Sequence, residues 1–102
     1  MNFKEALNAM NNGQAVRRTN NNWPKNYIVF AQIPQTIGEE IIPKMTSVPN
    51  EVKNIILNNS KRISYHDQCI MLDVETGSAE YFVPTIKNCN AEDWEIVTIN
   101  NY

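Results

Sequence analysis

Glycine is scarce in this 102-residue chain, which contains only three. A phosphate-binding cradle needs closely spaced glycines, and neither a GxGxxG pattern nor a P-loop lysine motif occurs. Basic residues show no excess, because nine Lys and Arg stand against eleven Asp and Glu, for a formal net charge of −2. A protein that coats DNA or RNA carries a strong positive charge. We therefore expect no nucleic acid partner, although a few local arginines still allow a small anionic ligand.

Cysteine and long apolar runs are also in short supply. Cys69 and Cys89 form no CxxC or Cys/His pattern, which favours reduced thiols over a disulfide framework or a metal site. No apolar run approaches the ~20 residues of a membrane span. The first residues also lack the apolar core of a signal peptide. These absences predict a cytoplasmic protein with no membrane partner.

Groups suited to catalysis are few. The one histidine, His66, precedes Asp67 and is a candidate general base. No serine or cysteine joins it in a recognisable nucleophile motif. The carboxylates of Glu92, Asp93 and Glu95 lie in an extended stretch where side chains alternate between faces. An acidic, solvated turn is therefore a better interpretation of residues 92–95 than a metal site.

Asparagine is the residue in excess, with sixteen in the chain, many of them in pairs or triplets. Asparagine favours turns and caps, so the clusters are expected to punctuate the fold, and an AT-rich coding sequence explains them equally well. The length corresponds to one domain spanning residues 1–102. A domain of this size has a thin stability margin, which symmetric homo-oligomers commonly offset.

The first half of the chain predicts a helix followed by strands. Phe3, Ala6, Leu7 and Met10 form one helical stripe, so a helix is expected over residues 3–12, with a capping box at its start. The remaining predicted elements are strands over residues 15–18, 27–33 and 41–42 and a second helix over 49–59.

The second half predicts mainly strands. A hairpin is expected from strands over residues 64–74 and 79–83 around a turn at 75–78, which contains Gly77. Residues 87–93 form a polar loop or helical turn, and 94–99 alternate as a last strand. Strands without crossover helices imply an antiparallel sheet. The predicted class is α+β, a small single domain with a mainly antiparallel sheet, an N-terminal helix and a helix near 49–59.

The most informative constellation is an arginine pair followed by an asparagine-rich turn and a tryptophan. Arg17 and Arg18 lie side by side on a predicted strand and point to opposite faces, so one of them can face a pocket and bind phosphate bidentately. Trp23, held before Pro24, offers a flat face to a base. The alternative is a solvated arginine pair with a core tryptophan.

Several blocks of sequence resemble one phage family. They are Met1-Asn2-Phe3 with Glu5-Ala6-Leu7 and Gly13, then Val16-Arg17-Arg18 with Trp23, then Tyr27-Ile28-Val29, and finally Ala91-Glu92-Asp93-Trp94-Glu95-Ile96-Val97. In this order they resemble the second type of Thoeris anti-defence protein over nearly the whole chain. The turn at residues 19–24 lacks the family's glycine, residues 84–90 differ from its usual Pro-Trp loop, and residues 34–63 are longer than in compact members.

The resemblance implies a sponge. Members sequester the cyclic ADP-ribose isomers that bacterial TIR-domain proteins make from NAD during phage infection, and so act in the host cytoplasm. The ligand is bound without cleavage, so neither an enzymatic activity nor a cofactor is expected. Members look like homotetramers of α+β subunits with ligand pockets between subunits. Some also bind cyclic di- or trinucleotides at a separate site.

Residue roles are carried over where the sequence matches. Arg17 or Arg18 is expected to neutralise the pyrophosphate, and Trp23 to stack on adenine. Asp93 either accepts hydrogen bonds from ribose hydroxyls or caps the last turn, whereas Trp94 is assigned to the core or an interface. Loop position alone adds the remaining members of the predicted ligand site, Asn22, Thr85, Asn88 and Asn90.

Two other functions stay open from the sequence. One is a hydrolase of a nucleotide signal that uses His66 with a carboxylate. The other is a protein-interaction module that blocks a host defence protein directly.

Overall fold

All 102 residues are described by the computed structural model, which contains three α-helices and seven short strands. In chain order the elements are α1 (Phe3–Asn11), β1 (Ala15–Arg18), β2 (Tyr27–Ala31), β3 (Gln35–Gly38), a 3₁₀ turn (Ile42–Lys44), α2 (Asn50–Leu57), β4 (Arg62–Tyr65), β5 (Cys69–Asp73), β6 (Ala79–Tyr81), α3 (Ile86–Asn90) and β7 (Trp94–Val97). Every strand pairing is antiparallel. The predicted α+β class is therefore confirmed. No helix is long and apolar enough to cross a membrane.

Helix α1 begins as its sequence predicts. The Asn2 side chain accepts a hydrogen bond from the Glu5 amide at 2.9 Å, and the Glu5 carboxylate accepts one from the Asn2 amide at 3.0 Å. This reciprocal capping box satisfies two amide donors that the helix itself leaves unpaired. Gly13 follows the helix with a φ of 86°, a conformation that glycine adopts without a Cβ penalty.

The main sheet has five strands in the order β6-β5-β2-β1-β7. Cross-strand pairs put Val16 opposite Val29 and Ile96, and Arg18 opposite Trp94. Side chains alternate along a strand, so these residues share one face of the sheet. We call it the core face, because α1 packs on it.

The core lies between α1 and this face. Its buried members are Ala6, Ala9, Met10, Val16, Val29 and Trp94. Trp94 is the largest, is 2 % exposed, and donates its indole N–H to the Asn88 carbonyl at 3.0 Å. Of the two locations predicted for Trp94, the core or an interface, the structure shows the core. The burial of a tryptophan with its N–H paired contributes several kcal/mol, since truncation of such a residue to alanine costs about 3–5 kcal/mol.

The chain divides into two compact units. The first comprises residues 1–32 and 68–102 and contains the five-stranded sheet, and the second comprises residues 33–67. In the second unit β3 pairs with β4 as a two-stranded sheet, and α2 leads into β4. Helix α2 has no buried residue, and its predicted apolar stripe leaves Val52 41 % and Ile55 61 % exposed.

Two strand predictions in this region are wrong. The predicted strand over residues 64–74 is two strands, since β4 pairs with β3 whereas β5 pairs with β2. The predicted strand at 41–42 is absent, because Ile42 begins a 3₁₀ turn with Pro43 in its first positions. Proline fixes φ at a helical value and lacks the N–H that a strand ladder needs. Strand β3 was missed because its four residues are mostly polar and exposed.

Candidate ligand-binding groove

An open groove lies beside the core, within the first unit. Its volume of about 970 Å³ falls at the upper end of the range of small-molecule sites. The lining residues are Arg18, Asn20, Asn22, Trp23, Met71, Glu80, Tyr81, Phe82, Val83, Thr85, Ile86, Lys87, Asn88, Asn90 and Ala91. Most come from the turn after β1, from the segment that follows β6, and from α3. Loops positioned by a sheet are common places for binding residues.

Arg18 reaches the groove because it lies on the core face, two residues beyond the buried Val16. Its Nε donates to Asp93 Oδ1 at 2.8 Å and its Nη2 donates to Asp93 Oδ2 at 3.3 Å. Its Nη1 donates to Asn88 Oδ1 at 3.2 Å. A guanidinium group has five N–H donors, so these three bonds leave two donors for a ligand. The pair with Asp93 fixes the plane in which those donors lie.

The Asp93 carboxylate is electrostatically tied to this arginine. The hydrogen bond from Arg18 lowers the pKa of Asp93 below its ordinary value of 3.8, which outweighs the opposite effect of desolvation. Asp93 is therefore ionised at neutral pH. The side chains are 15 % exposed for Arg18 and 32 % for Asp93, so the pair is only partly screened by water.

Helix α3 is a single short turn that supplies the second half of the groove. Thr85 caps it, and its hydroxyl accepts the Asn88 amide at 3.2 Å. This cap turns the Asn88 side chain inward, where it is 9 % exposed and is the one buried polar residue. Asn88 thereby contacts Arg18 through its side chain and Trp94 through its carbonyl. Of the loop or helical turn predicted over residues 87–93, the structure forms a helical turn, which spans residues 86–90 and ends before 91–93.

Trp23 joins the groove to the aromatic part of the core. Its ring centroid lies 5.6 Å from that of Trp94 and 6.0 Å from that of Phe82, both in edge-to-face geometry. Its indole N–H donates to the Tyr27 carbonyl at 2.9 Å. Such contacts fix the plane of an indole ring. Trp23 remains half-buried and lines the groove, so the binding and core interpretations of this residue both describe part of its environment.

Arg17 points away from this groove, as the alternation along β1 requires. Its Nε donates to Glu95 Oε1 at 2.8 Å, and its other nitrogens donate to the carbonyls of Lys25 and Asn101. All three guanidinium nitrogens are thus engaged by the protein. Arg17 lines a smaller cavity of about 210 Å³ instead.

The structure brings most of the predicted site together. Six predicted residues line the groove, namely Arg18, Asn22, Trp23, Thr85, Asn88 and Asn90. The other two, Asp93 and Arg17, do not line it, although Asp93 is hydrogen-bonded to Arg18, which does. His66 is exposed in the segment between β4 and β5 and belongs to the second unit.

Sequence reasoning missed several groove residues, notably Met71, Glu80, Phe82 and Lys87. Met71 and Glu80 are cross-strand partners, and Met71 also pairs with Val29, which puts all three on the core face. The alternation of strand β6 carries this signal, but only once its register is known. A slip of one residue would move Glu80 to the other face.

Fold and groove together define a class: an α+β protein with a helix on one face of an antiparallel sheet and an open, ligand-sized cleft beside it. The family model for the Tad2-like domain, described as Thoeris anti-defense 2-like, matches residues 1–97. The chain therefore belongs to the Thoeris anti-defence 2-like family, which confirms the resemblance and assigns it a role against Thoeris defence. A search of curated proteins finds no match.

Proposed function

We propose that this protein is a sponge that binds a cyclic ADP-ribose-type immune signal in the groove and holds it without cleavage. The observation that carries the proposal is the convergence of Arg18, Trp23 and Asn88 on one cleft of ligand size. Family membership supports the anti-defence role. Removal of the signal in the host cytoplasm would leave the downstream effector inactive.

Each part of such a ligand finds a suitable partner. Arg18 presents its two remaining N–H donors to the pyrophosphate, and Lys87 adds a second cation on the same wall. Trp23 provides a fixed aromatic surface for adenine. The amides of Asn22 and Asn90 provide both donors and acceptors for ribose hydroxyls. Asn88 acts mainly by orienting Arg18.

The energies are sufficient for tight capture. A cyclic ADP-ribose has on the order of 35 heavy atoms, which at roughly 0.3 kcal/mol per atom provides about 10 kcal/mol. That free energy corresponds to a Kd on the order of tens of nanomolar. A sponge needs affinity of this order, because each site removes one signal molecule.

We further propose a homotetramer whose subunits meet at the rim of the groove. Three apolar side chains on this rim are largely exposed, with Tyr81 60 %, Val83 81 % and Ile86 81 % accessible. Exposed apolar side chains gathered around a cleft are typical of interaction surfaces. A second subunit over the rim would both cover them and narrow the opening of the groove.

Calorimetric titration with a TIR-generated glycosyl-cyclic ADP-ribose tests the sponge, combined with chromatography of the ligand after heat denaturation. We expect saturable, tight binding and recovery of intact ligand. Recovery of an altered ligand would instead favour the hydrolase, with His66→Ala as the diagnostic variant. Absence of binding to this probe and to cyclic di- and trinucleotides, with a stable complex formed with a host protein, would favour the interaction module.

A further inference from the structure

Beside the groove lies a second, smaller chamber that the proposed contacts do not use. This chamber, which we call the annex, has a volume of about 170 Å³ and is lined by Tyr27, Met71, Asp73, Ser78 and Glu80. Met71 and Glu80 line the groove as well, so the two spaces share a wall. A volume below the usual range for a whole ligand suits one ring of a larger molecule.

Strand register explains why these side chains meet. Tyr27 is opposite Asp73, and Met71 is opposite both Val29 and Glu80. Because Val29 lies on the core face, all of these partners lie on it too. The annex is therefore a continuation of the core face along strands β2, β5 and β6.

The polar groups of the annex are hydroxyls and carboxylates, with no cation among them. Asp73 Oδ1 is held by the Asn26 side chain at 2.7 Å and by the amide of Glu75 at 2.9 Å. Desolvation raises the pKa of Asp73, but these hydrogen bonds more than offset it, so that its pKa is lowered. No hydrogen bond occupies Asp73 Oδ2. Glu80 belongs to neither of the two ion pairs of the chain.

Charge is thus distributed unevenly along the groove. Arg18 lies on β1 and Glu80 on β6, and β2 and β5 separate these strands. Three strand spacings of about 4.8 Å put strands β1 and β6 roughly 14 Å apart. Lys87 lies in α3, next to the Asn88 that holds Arg18. One end of the groove is therefore cationic and the other anionic and rich in hydroxyls.

We propose that the groove binds its ligand in one orientation, with phosphates at the Arg18 end and a neutral, hydroxyl-bearing sugar ring in the annex. Carboxylates accept hydrogen bonds from sugar hydroxyls, and the Tyr27 and Ser78 hydroxyls can donate or accept. The same carboxylates repel a phosphate, so Glu80 acts as a specificity residue against ligands phosphorylated on the sugar. A metal site is not favoured, because no group of three or more His, Cys, Asp or Glu residues is placed to hold one. This inference rests on the proposed function.

Two probes test the orientation, namely cyclic ADP-ribose and its 2′-phosphate, titrated calorimetrically into the protein. We expect the wild-type protein to bind the unphosphorylated probe at least about tenfold more tightly, as repulsion between like charges implies. Glu80→Gln should reduce the ratio of these two affinities several-fold. Tyr27→Phe should lower the affinity for the unphosphorylated probe by about three- to tenfold, because one hydrogen bond is lost. Glu75→Gln, an exposed change on the same hairpin outside the lining, is the matched control and should leave both affinities unchanged.

The outcomes separate the two claims. Suppose that both probes bind. The orientation is overturned, and the sponge stands, if Glu80→Gln leaves the ratio of the two affinities unchanged and Tyr27→Phe leaves the affinity for cyclic ADP-ribose unchanged. A loss of affinity in the Glu75→Gln control equal to that in Glu80→Gln also overturns it. If neither probe binds the wild-type protein but the glycosyl-cyclic ADP-ribose does, the orientation is overturned and the sponge stands. If that signal does not bind either, the proposed function fails, and the orientation fails with it.

Discussion

Arg18 shows how one strand position acquires a binding role that its neighbour lacks. Both arginines of β1 form an ion pair, but Arg17 uses all three of its nitrogens on protein acceptors, two of them backbone carbonyls. Arg18 also uses all three nitrogens, but on the side chains of Asp93 and Asn88. Each guanidinium keeps two of its five N–H donors, and only those of Arg18 line the groove. The difference follows from the alternation of the strand, which directs Arg18 to the core face beside the groove.

The Arg18–Asp93 pair predicts a pH-dependent contribution to stability. Because the folded-state pKa of Asp93 is lowered, the stabilisation is complete above the unfolded pKa and is lost as pH falls through the folded value. Asp93→Asn should therefore lower the free energy of unfolding by about 1 kcal/mol at pH 7, a reduced value because Asp93 is partly exposed. Urea unfolding at several pH values measures this difference. It should be constant above about pH 5 and shrink below the ordinary pKa; a difference independent of pH down to acid unfolding would contradict the assignment.

Trp23 predicts separable effects on binding and folding. Because its ring packs against Trp94 and Phe82, substitution by a small residue would disturb the core as well as the groove. Trp23→Leu should weaken binding of the cyclic ADP-ribose signal by about 1–3 kcal/mol through lost stacking, whereas Trp23→Phe should lose less. Calorimetric affinities, with thermal unfolding as the control for stability, distinguish the two effects. Equal affinity for Trp23→Leu and the wild-type protein would remove Trp23 from the binding surface.

At the scale of elements, local signals predicted what local contacts determine. The capping box of α1, the turn at residues 75–78 and the helical turn of α3 each depend on residues within a few positions of one another. Pairing between distant strands is different. Residues 64–74 carry no local signal that the chain leaves one sheet and enters another at 66–68. The interruption arises because β4 pairs with β3 whereas β5 pairs with β2.

The candidate site was predictable to the same extent. Arg18 and Trp23 follow from the strand and turn that contain them, and the α3 residues follow from a polar segment between the last strands. Glu80 and Met71 join the groove only through cross-strand register. Sequence patterns leave that register undetermined where, as in β6, all three residues are exposed.

Gly13 predicts a test of how α1 ends. Its φ of 86° is strained for any L residue, while a Cβ there would meet nothing within 4 Å. Gly13→Ala should therefore destabilise the protein by about 1–2 kcal/mol through backbone strain alone. Gly38→Ala is the matched control, because its surroundings are equally open and its φ is ordinary, and it should change stability by less than about 1 kcal/mol. Chemical denaturation measures the free energy of unfolding of both variants. If Gly13→Ala and Gly38→Ala changed it by the same amount, backbone strain at Gly13 would be excluded as the cause.

At the scale of the whole molecule, the two units differ in how they are stabilised. The aromatic and aliphatic core belongs to the first unit, whereas the second contains one fully buried apolar residue, Ile42. The groove and the annex lie within the first unit. The proposed binding function is therefore built on the part of the chain with the larger core, which favours a rigid, preorganised cleft.

Assembly through the groove rim gives the last prediction. Val83 is 81 % exposed on this rim, so Val83→Asp should leave the fold of the subunit intact and introduce a charge where the proposed partner subunit packs. Light scattering should give a mass of four subunits for the wild-type protein and a smaller mass for this variant. Ile33→Asp, at a site 84 % exposed in the second unit, is the control for added charge and should keep the wild-type mass. If ligand binds between subunits, saturating cyclic ADP-ribose signal should shift Val83→Asp back towards the tetramer by mass action. A wild-type monomer would contradict the tetramer, whereas a tetrameric Val83→Asp would place the interface elsewhere.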